Sequence, residues 1–409
     1  MIVDSKQQFL SAAEVCEALG ISASTLYSYV SRGLIRSEKG KDPKKRVKRY
    51  RREDVEHLLE RKTLRNDPGK ASKNMLAWGM PIMESQLTLI ENGRLYYKGC
   101  DVEELARTCS FEEVAAFLWL GQLTSRLRPP DSGLSEKLER LRRESQQLSY
   151  ISRYQILLAA ASQLDAMAFD LSPSGVTRTA VNILSLATLA CADEHTSSPE
   201  LGIAERLQEQ WSLTDPSLLR LIDTALILLA EHELNVTTFA ARCAASTRAN
   251  PYEVVQAGLA SLNSQQYLGI LNKIDALLKE VGREGALEHV LHARLKRGDD
   301  LSGFGHRLYP SGDPRAKILM ELMIRTAPEH PTCRLAAQCL SVGSEVFERP
   351  PETRLAIVLL NRFLGLPQDN AIMFFAIART VGWLAHGLEQ YEQGREIRPR
   401  ATYTGTLPS

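Results

Sequence analysis

An imidazole and two guanidiniums stand close together in the run Gly303-Phe304-Gly305-His306-Arg307-Leu308-Tyr309-Pro310-Ser311-Gly312-Asp313-Pro314-Arg315. Its glycines allow backbone conformations closed to other residues, and Asp313-Pro314 is expected to keep a helix from starting before Arg315. Such a loop suits an anionic ligand, although an ordinary surface turn that carries a histidine reads the same way. Two further stretches set polar groups among apolar ones. In Leu226 to Asn235, His232 falls at the end of a helix too apolar to be exposed, as either a satisfied core group or a ligand contact. In Phe374 to His386, Arg379 sits mid-helix in nearly buried surroundings, where an unpaired guanidinium is costly and calls for a carboxylate.

The elements that carry these groups are almost all helical. From Ser85 the chain gives a β-hairpin around Asn92-Gly93, then helical runs at 102–106 and 111–120. Stretches of helical length and periodicity recur near 134–148, 151–168, 175–191, 217–232, 236–247, 252–261, 267–280, 285–296, 314–326, 331–346, 352–364 and 369–393. They are broken at Pro129-Pro130, Ser172-Pro173-Ser174-Gly175, Pro350-Pro351 and Gly365-Leu366-Pro367, with no internal repeat. Consecutive helices of this kind predict an all-α globule.

Glu231-His232-Glu233-Leu234-Asn235 with Thr238 to Arg242, Gly303 to Arg307 with Asp313-Pro314-Arg315-Ala316, and Arg379 to Trp383 with Ala385-His386, Glu389-Gln390 and Arg398-Pro399-Arg400 together resemble the citrate synthase family. The resemblance runs from about Ser85 to the C-terminus. It implies an all-α homodimer whose large and small helical domains close over a dicarboxylate, with the small lobe at about 255–350. It also implies that His232 and His306 are the catalytic histidines in contact with oxaloacetate. Arg315 and Arg379 would hold its carboxylates, and Arg398 would be supplied across the dimer.

The family's pattern breaks at the two groups that move protons. Condensing acetyl-CoA with a ketone takes a carboxylate to remove a methyl proton and a neutral imidazole to donate to the developing enol oxygen. The family carries that imidazole in His-Gly-Gly-Ala-Asn; the matching run here is Tyr267-Leu268-Gly269-Ile270-Leu271, and no histidine occurs from 233 to 288. Leu268 and Ile270 would fill space that glycines leave for a thioester. The family's catalytic aspartate lies in Pro-Asn-Val-Asp-Phe, and the matching run is Pro351-Glu352-Thr353-Arg354-Leu355, with arginine in place of the base. Glu352 would serve only after a two-residue shift, and proton transfer needs contact within roughly 3 Å. Tyr267 and Arg354 instead suit an anion held without reaction. No cofactor is expected, and acetyl-CoA would enter only as a co-substrate if condensation survives.

At 409 residues, 44% of them apolar, the chain is long enough for two or three domains with a real core. Fifty basic against 49 acidic side chains leave no general attraction to nucleic acid or membrane, so local clusters decide. Seven scattered cysteines without C-x-x-C spacing argue against a disulfide framework or a thiolate metal site, and a cytoplasmic setting is expected. No signal peptide is visible. No apolar run reaches the roughly 18 residues of a membrane span, since Arg379 interrupts the best candidate.

One local cluster opens the chain. Ser11 with Glu14 forms a capping-box pattern ended by Gly20, and Ser22 can cap a second short helix from Ala23 to Arg32. Leu26 and Val30 of that helix would point inward, leaving Ser24, Thr25, Ser28, Tyr29 and Arg32 outside. Arg36, Lys39, Lys41, Lys44, Lys45, Arg46, Lys48, Arg49, Arg51 and Arg52 follow, opposed only by Glu38 and Asp42, a footprint suited to phosphates. With Leu19-Gly20-Ile21-Ser22, Thr25-Leu26-Tyr27 and Arg32-Gly33-Leu34-Ile35, the run from Leu10 to Arg61 resembles the winged helix-turn-helix of MerR-type regulators. The expected plan is a DNA-binding domain at 1–62, a linker at 63–80 and a citrate synthase-like domain at 81–409. The expected role is a homodimeric, DNA-binding transcriptional regulator that senses a di- or tricarboxylate; the alternative is an active citrate or 2-methylcitrate synthase with an accessory DNA-binding domain.

Overall fold

The computed structural model describes residues 9–39, 48–52, 54, 55, 58, 59, 82–123, 127, 134–192, 198 and 200–406. It falls into two compact units, one ending at Glu84 and the other beginning at Ser85. The segment expected to be a linker, 63–80, lies outside the described residues.

In the first unit, the Ser11 hydroxyl accepts from the Glu14 amide and the Glu14 carboxylate accepts from the Ser11 amide at 2.7 Å, which starts α1 (Ala12–Leu19). Gly20 ends it in the left-handed region at φ 59°. Ser22 then caps α2 (Ala23–Ser31). Strands β1 (Phe9–Leu10), β2 (Ser37–Lys39) and β3 (Lys48–Arg51) lie in the order β1-β3-β2, so β2 and β3 stand as an antiparallel wing after α2. Leu10, Val15, Leu19, Leu26, Ile35, Tyr50 and Val55 form the unit's small core.

The second unit opens with the expected hairpin, β4 (Thr88–Glu91) and β5 (Arg94–Tyr97). Asn92 and Gly93, at φ 52° and 75°, supply the two left-handed residues that a tight hairpin matched to strand twist requires. A second such turn at Lys98-Gly99 adds the short β6 (Cys100–Asp101). Helices follow: α3 (Val102–Thr108), α4 (Phe111–Leu120), α5 (Leu134–Glu144), α6 (Tyr150–Leu164), α7 (Pro173–Ala190), α8 (Ile203–Gln210), α9 (Ser217–Leu229), α10 (Val236–Ser246) and α11 (Pro251–Leu262). The remainder are α12 (Gln265–Glu284), α13 (Leu287–Arg297), α14 (Pro314–Thr326), α15 (Pro331–Glu345), α16 (Thr353–Phe363) and α17 (Asn370–Gln393). Helix α8 was not expected from the periodicity, because Ile-Ala-Glu-Arg-Leu-Gln-Glu-Gln is short and mostly polar.

Helix α17 is the axis of the unit and packs on α4, α6, α7, α9, α10 and α11. Gly258 makes the close approach of α11 to α17 possible, since a Cβ there would lie 2.5 Å from the fully buried Trp383 indole. Truncating such a tryptophan costs about 3–5 kcal/mol. By length and hydropathy α17 would pass for a membrane span, against the sequence expectation, but 89% of its apolar window is buried inside the protein. Helices α12 to α16 pack largely on one another. Their grouping brings the chain near 303–315 against the chain near 350–354.

Candidate functional site

His232 lies one turn beyond the end of α9 rather than within a helix, because the chain turns at Ala230 and Glu233 takes a left-handed φ of 57°. The following helix starts under Asn235, whose side-chain oxygen accepts from the Thr237 and Thr238 amides. His306 is carried by a loop that pairs with the chain before α16. The Gly305 amide donates to the Pro350 carbonyl at 2.8 Å, and the Glu352 amide donates to the Gly303 carbonyl at 2.9 Å. Gly303 needs to be glycine here: its φ is 96°, and a Cβ would press on Leu355 at 3.1 Å and Ile274 at 3.2 Å. The loop then doubles back, with the Tyr309 amide donating to the His306 carbonyl. Helix α14 begins at Pro314, as the helical run 314–326 has it and one residue before the start that the Asp313-Pro314 step alone suggested; proline is preorganised for the first helical position, and Asp313 caps it by accepting from the Arg315 amide.

These elements bring four predicted residues together. The His232 and His306 rings meet edge to face at 5.5 Å, and both lie beside Tyr309, whose hydroxyl is 3.1 Å from His232 Nε2. The Arg315 guanidinium stacks 5.5 Å from the Tyr309 ring and forks onto Asp313, Nε to Oδ1 at 2.9 Å and Nη2 to Oδ2 at 2.8 Å. Asp313 also accepts from the Thr353 amide at 3.1 Å and from its hydroxyl. Arg379 is buried, and its Nη1 has no hydrogen-bond partner among the described residues.

The charges set the protonation of the cluster. Burial, then the charges of Arg315, Arg379 and His306, drives His232 well below the usual histidine range. Burial and Arg315 bring His306 down to about 4. Both imidazoles are therefore neutral at pH 7. Nδ1 of His306 accepts from the Leu308 amide at 3.1 Å, which leaves the proton on Nε2 as a donor. Burial raises Tyr309 to about 12, so its phenol stays protonated. Burial opposes the charge of both arginines, but Asp313 and Tyr309 reverse it for Arg315, whereas Glu231 only partly offsets it for Arg379.

The two substituted positions border this cluster. Tyr267, in the first turn of α12, contributes to the field on Arg379. Arg354, in the first turn of α16, acts on His306 and pairs with Glu352 at 2.6 Å. Glu352 is itself buried, and burial raises its carboxyl above the usual range against the pull of Arg354. Arg398 is not brought to the cluster in the single chain: it is exposed and donates to the carbonyl of its neighbour Pro399. Sequence reasoning did not select Tyr309 and Asp313, although both stood in the loop it singled out; the Asp-x-Arg spacing was the available signal for the second.

In the first unit, Ser24 on α2 and Arg32 just past its end are exposed, and Thr25 and Ser28 are half-buried. Arg32 Nε donates to the Ser28 hydroxyl at 3.2 Å. Tyr29 departs from expectation: it shares the inward face with Leu26 and packs on the small core. Arg36 is also not a free cation, because Asp54 accepts from both its backbone amide and its guanidinium, at 2.7 and 2.8 Å. Arg49 is exposed on the wing strand. Lys44, Lys45 and Arg46 lie outside the described residues. Tyr27, which sequence reasoning did not select, is 57% exposed on α2.

A family model described as citrate synthase, C-terminal domain, matches residues 75–400. The chain belongs to the citrate synthase family. A second model, described as a helix-turn-helix domain, matches residues 9–63, within the first unit, which suggests DNA binding. The citrate synthase-like portion is 28% identical over 351 residues to citrate synthase 2 of Bacillus subtilis, covering 80% of this chain and 94% of that protein. It is 27% identical over 358 residues to the 2-methylcitrate synthase of Shewanella oneidensis, covering 78% and 91%. The crystal structure of citrate synthase from Thermotoga maritima superposes with a TM-score of 0.66 at 30% identity, covering 81% of this chain and 95% of that one.

Proposed function

We propose that the protein is a homodimeric, DNA-binding transcriptional regulator whose citrate synthase-family domain senses a di- or tricarboxylate of the oxaloacetate or citrate kind. The observation that carries this reading is the buried guanidinium of Arg379, with Nη1 unpartnered beside two neutral imidazoles and Arg315. A buried cation in that state is short of a carboxylate. The groups around it supply donors: a neutral His306 with Nε2–H, the Tyr309 hydroxyl and the arginines. Arg354 adds a further cation next to His306 where the family carries its base. Two helix-turn-helix units on a dimer would meet a two-fold operator, and Arg398 of each subunit would be free to reach the other's site. Calorimetry with citrate and oxaloacetate, beside an assay for coenzyme A release from acetyl-CoA plus oxaloacetate, tests it. Binding without release is expected; sustained release overturns it.

The competing reading is an active citrate or 2-methylcitrate synthase, and Glu352 is the observation in its favour. A buried carboxyl with a raised pKa, next to the His306 loop, has the character of a proton acceptor. If that reading holds, Glu352→Gln abolishes coenzyme A release by the purified protein. Restoring the family residues with Tyr267→His and Arg354→Asp then has little to add.

A further inference from the structure

The site is tied to the beginning of its own domain by hydrogen bonds, buried near the site and exposed at Gln86, that carboxylate binding does not itself require. Glu231, fully buried, directly precedes His232 and is the charge that most offsets the burial of Arg379. Helix α17 passes so close to it that a Cβ on Gly382 would lie 2.4 Å from Glu231 Oε2. The other oxygen, Oε1, lies 3.3 Å from His386 Nε2. His386 Nδ1 faces Arg242 Nη1 at 3.1 Å, and since a guanidinium can only donate, Nδ1 accepts and Nε2 carries the proton toward Glu231. Arg242 in turn pairs with Glu389 Oε2 at 3.1 Å, and Glu389 Oε1 accepts from the backbone amide of Gln86 at 2.7 Å. Gln86 is the second residue of the domain. The same hairpin returns to the site by a second route: the buried Tyr97 hydroxyl takes the Glu231 amide at 3.1 Å and lies within hydrogen-bond distance of the Glu231 and Ile227 carbonyls.

We propose that Glu231 is a positioning residue that orients His232 and Arg379, and that the chain from Glu231 through His386, Arg242 and Glu389 to Gln86 passes the state of the site to the segment leading to the DNA-binding unit. The transmission to that segment rests on the sensing reading; the positioning role does not. A carboxylate arriving at Arg379 brings a second negative charge to a guanidinium that Glu231 already acts on, and Glu231 Oε2 has no hydrogen-bond partner among the described residues to hold it in place. Any shift of Glu231 is felt at both ends of the hairpin, because Gln86 and Tyr97 are bonded into the same network.

The test uses the full-length protein, calorimetric binding of citrate and of oxaloacetate, and hydrogen exchange in peptides spanning 82–91 and 227–235. The unmodified protein is expected to change exchange at 82–91 when either carboxylate binds. Gln86→Pro removes the terminal amide without touching a buried side chain and is expected to abolish that response. His386→Leu cuts Glu231 from Arg242 and is expected to weaken carboxylate binding about tenfold, matching removal of one hydrogen bond to a charged group. His386→Gln keeps a donor toward Glu231 and is expected to recover most of it, which a purely structural role would not give. Equal weakening by both variants overturns the positioning claim. If His386→Leu does not fold, ligand-free Gln86→Pro decides: faster exchange at 227–235 supports the claim and an unchanged rate overturns it. Carboxylate binding with unaltered exchange at 82–91 overturns the transmission while leaving the sensing reading intact. No binding of either carboxylate overturns the sensing reading and the transmission together.

Discussion

Arg315 and Arg379 occupy the same cluster under opposite conditions. Arg315 reaches Asp313 two residues back along its own chain, and a two-point fork settles its charge before any ligand arrives. Arg379 rises from the middle of α17, has Nη1 unpartnered among the described residues, and receives only the partial offset of Glu231. The first is a built part of the fold that also shapes the field on both histidines. The second is held open. Ligand affinity should therefore depend most on Arg379, and stability most on the Asp313–Arg315 pair.

The strongest way to break this contrast is Asp313→Ala, which strands a buried guanidinium together with the Thr353 amide and hydroxyl. The expected destabilisation is about 3–5 kcal/mol, read from urea unfolding. A value under about 1 kcal/mol would mean that Arg315 has other support and that the two arginines do not differ. Arg379→Met probes the other member. Carboxylate binding should fall about a hundredfold, as for a two-point charged interaction, while stability falls by less than for Asp313→Ala, because Arg379 Nη1 gives up no hydrogen bond among the described residues and only the longer-range charge of Glu231 loses its cation. Equal destabilisation by both substitutions would end the distinction.

Local signals were legible in the sequence and long-range ones were not. Ser11 with Glu14, Gly20 and Asn92-Gly93 act within a few residues and stand where they were read, and the helical periodicity recovers the longer helices while missing α8 and running past the end of α9 at Leu229. The three stretches behind the cluster were also visible, because a histidine or arginine among leucines is anomalous whatever surrounds it. The links among Glu231, His386, Arg242 and Gln86 were not, since they join positions 144 to 303 residues apart in sequence. Tyr29 was misplaced for a different reason: on a helix it lies about 60° from Leu26, on the side away from Val30, so an apolar stripe of ordinary width centred near Leu26 takes in both.

A smaller effect sharpens the contrast through pH. His306 titrates near 4 in the folded protein and near 6.5 when unfolded, so between those values the unfolded chain takes up a proton that the fold refuses. Its contribution to stability is fully present above pH 6.5 and declines as pH falls toward 4; His232, also lowered, adds in the same direction. Glu352, raised by burial, contributes in the opposite sense, losing stability as pH rises through its folded value. His306→Gln should flatten the slope of unfolding stability between pH 6.5 and 4 relative to the unmodified protein. An unchanged slope would place its origin elsewhere.

The same question, whether a cation already has its carboxylate, applies on the wing of the first unit. Asp54 holds Arg36 through its amide and guanidinium, whereas Arg49 is exposed on β3 without an ion pair among the described residues. Removing one side chain that neutralises a phosphate lowers the slope of log affinity against log salt by about 1. Arg49→Gln should therefore reduce that slope by about 1 in binding to nonspecific duplex DNA, measured by fluorescence anisotropy across a salt series. Arg36→Gln should leave the slope nearly unchanged, because a guanidinium neutralised by the protein releases no counterion from the duplex. Equal reductions would show that DNA takes Arg36 away from Asp54. Then a paired cation is as available as an open one, and the difference between Arg315 and Arg379 would have to rest on burial, which separates Asp313 from the more accessible Asp54.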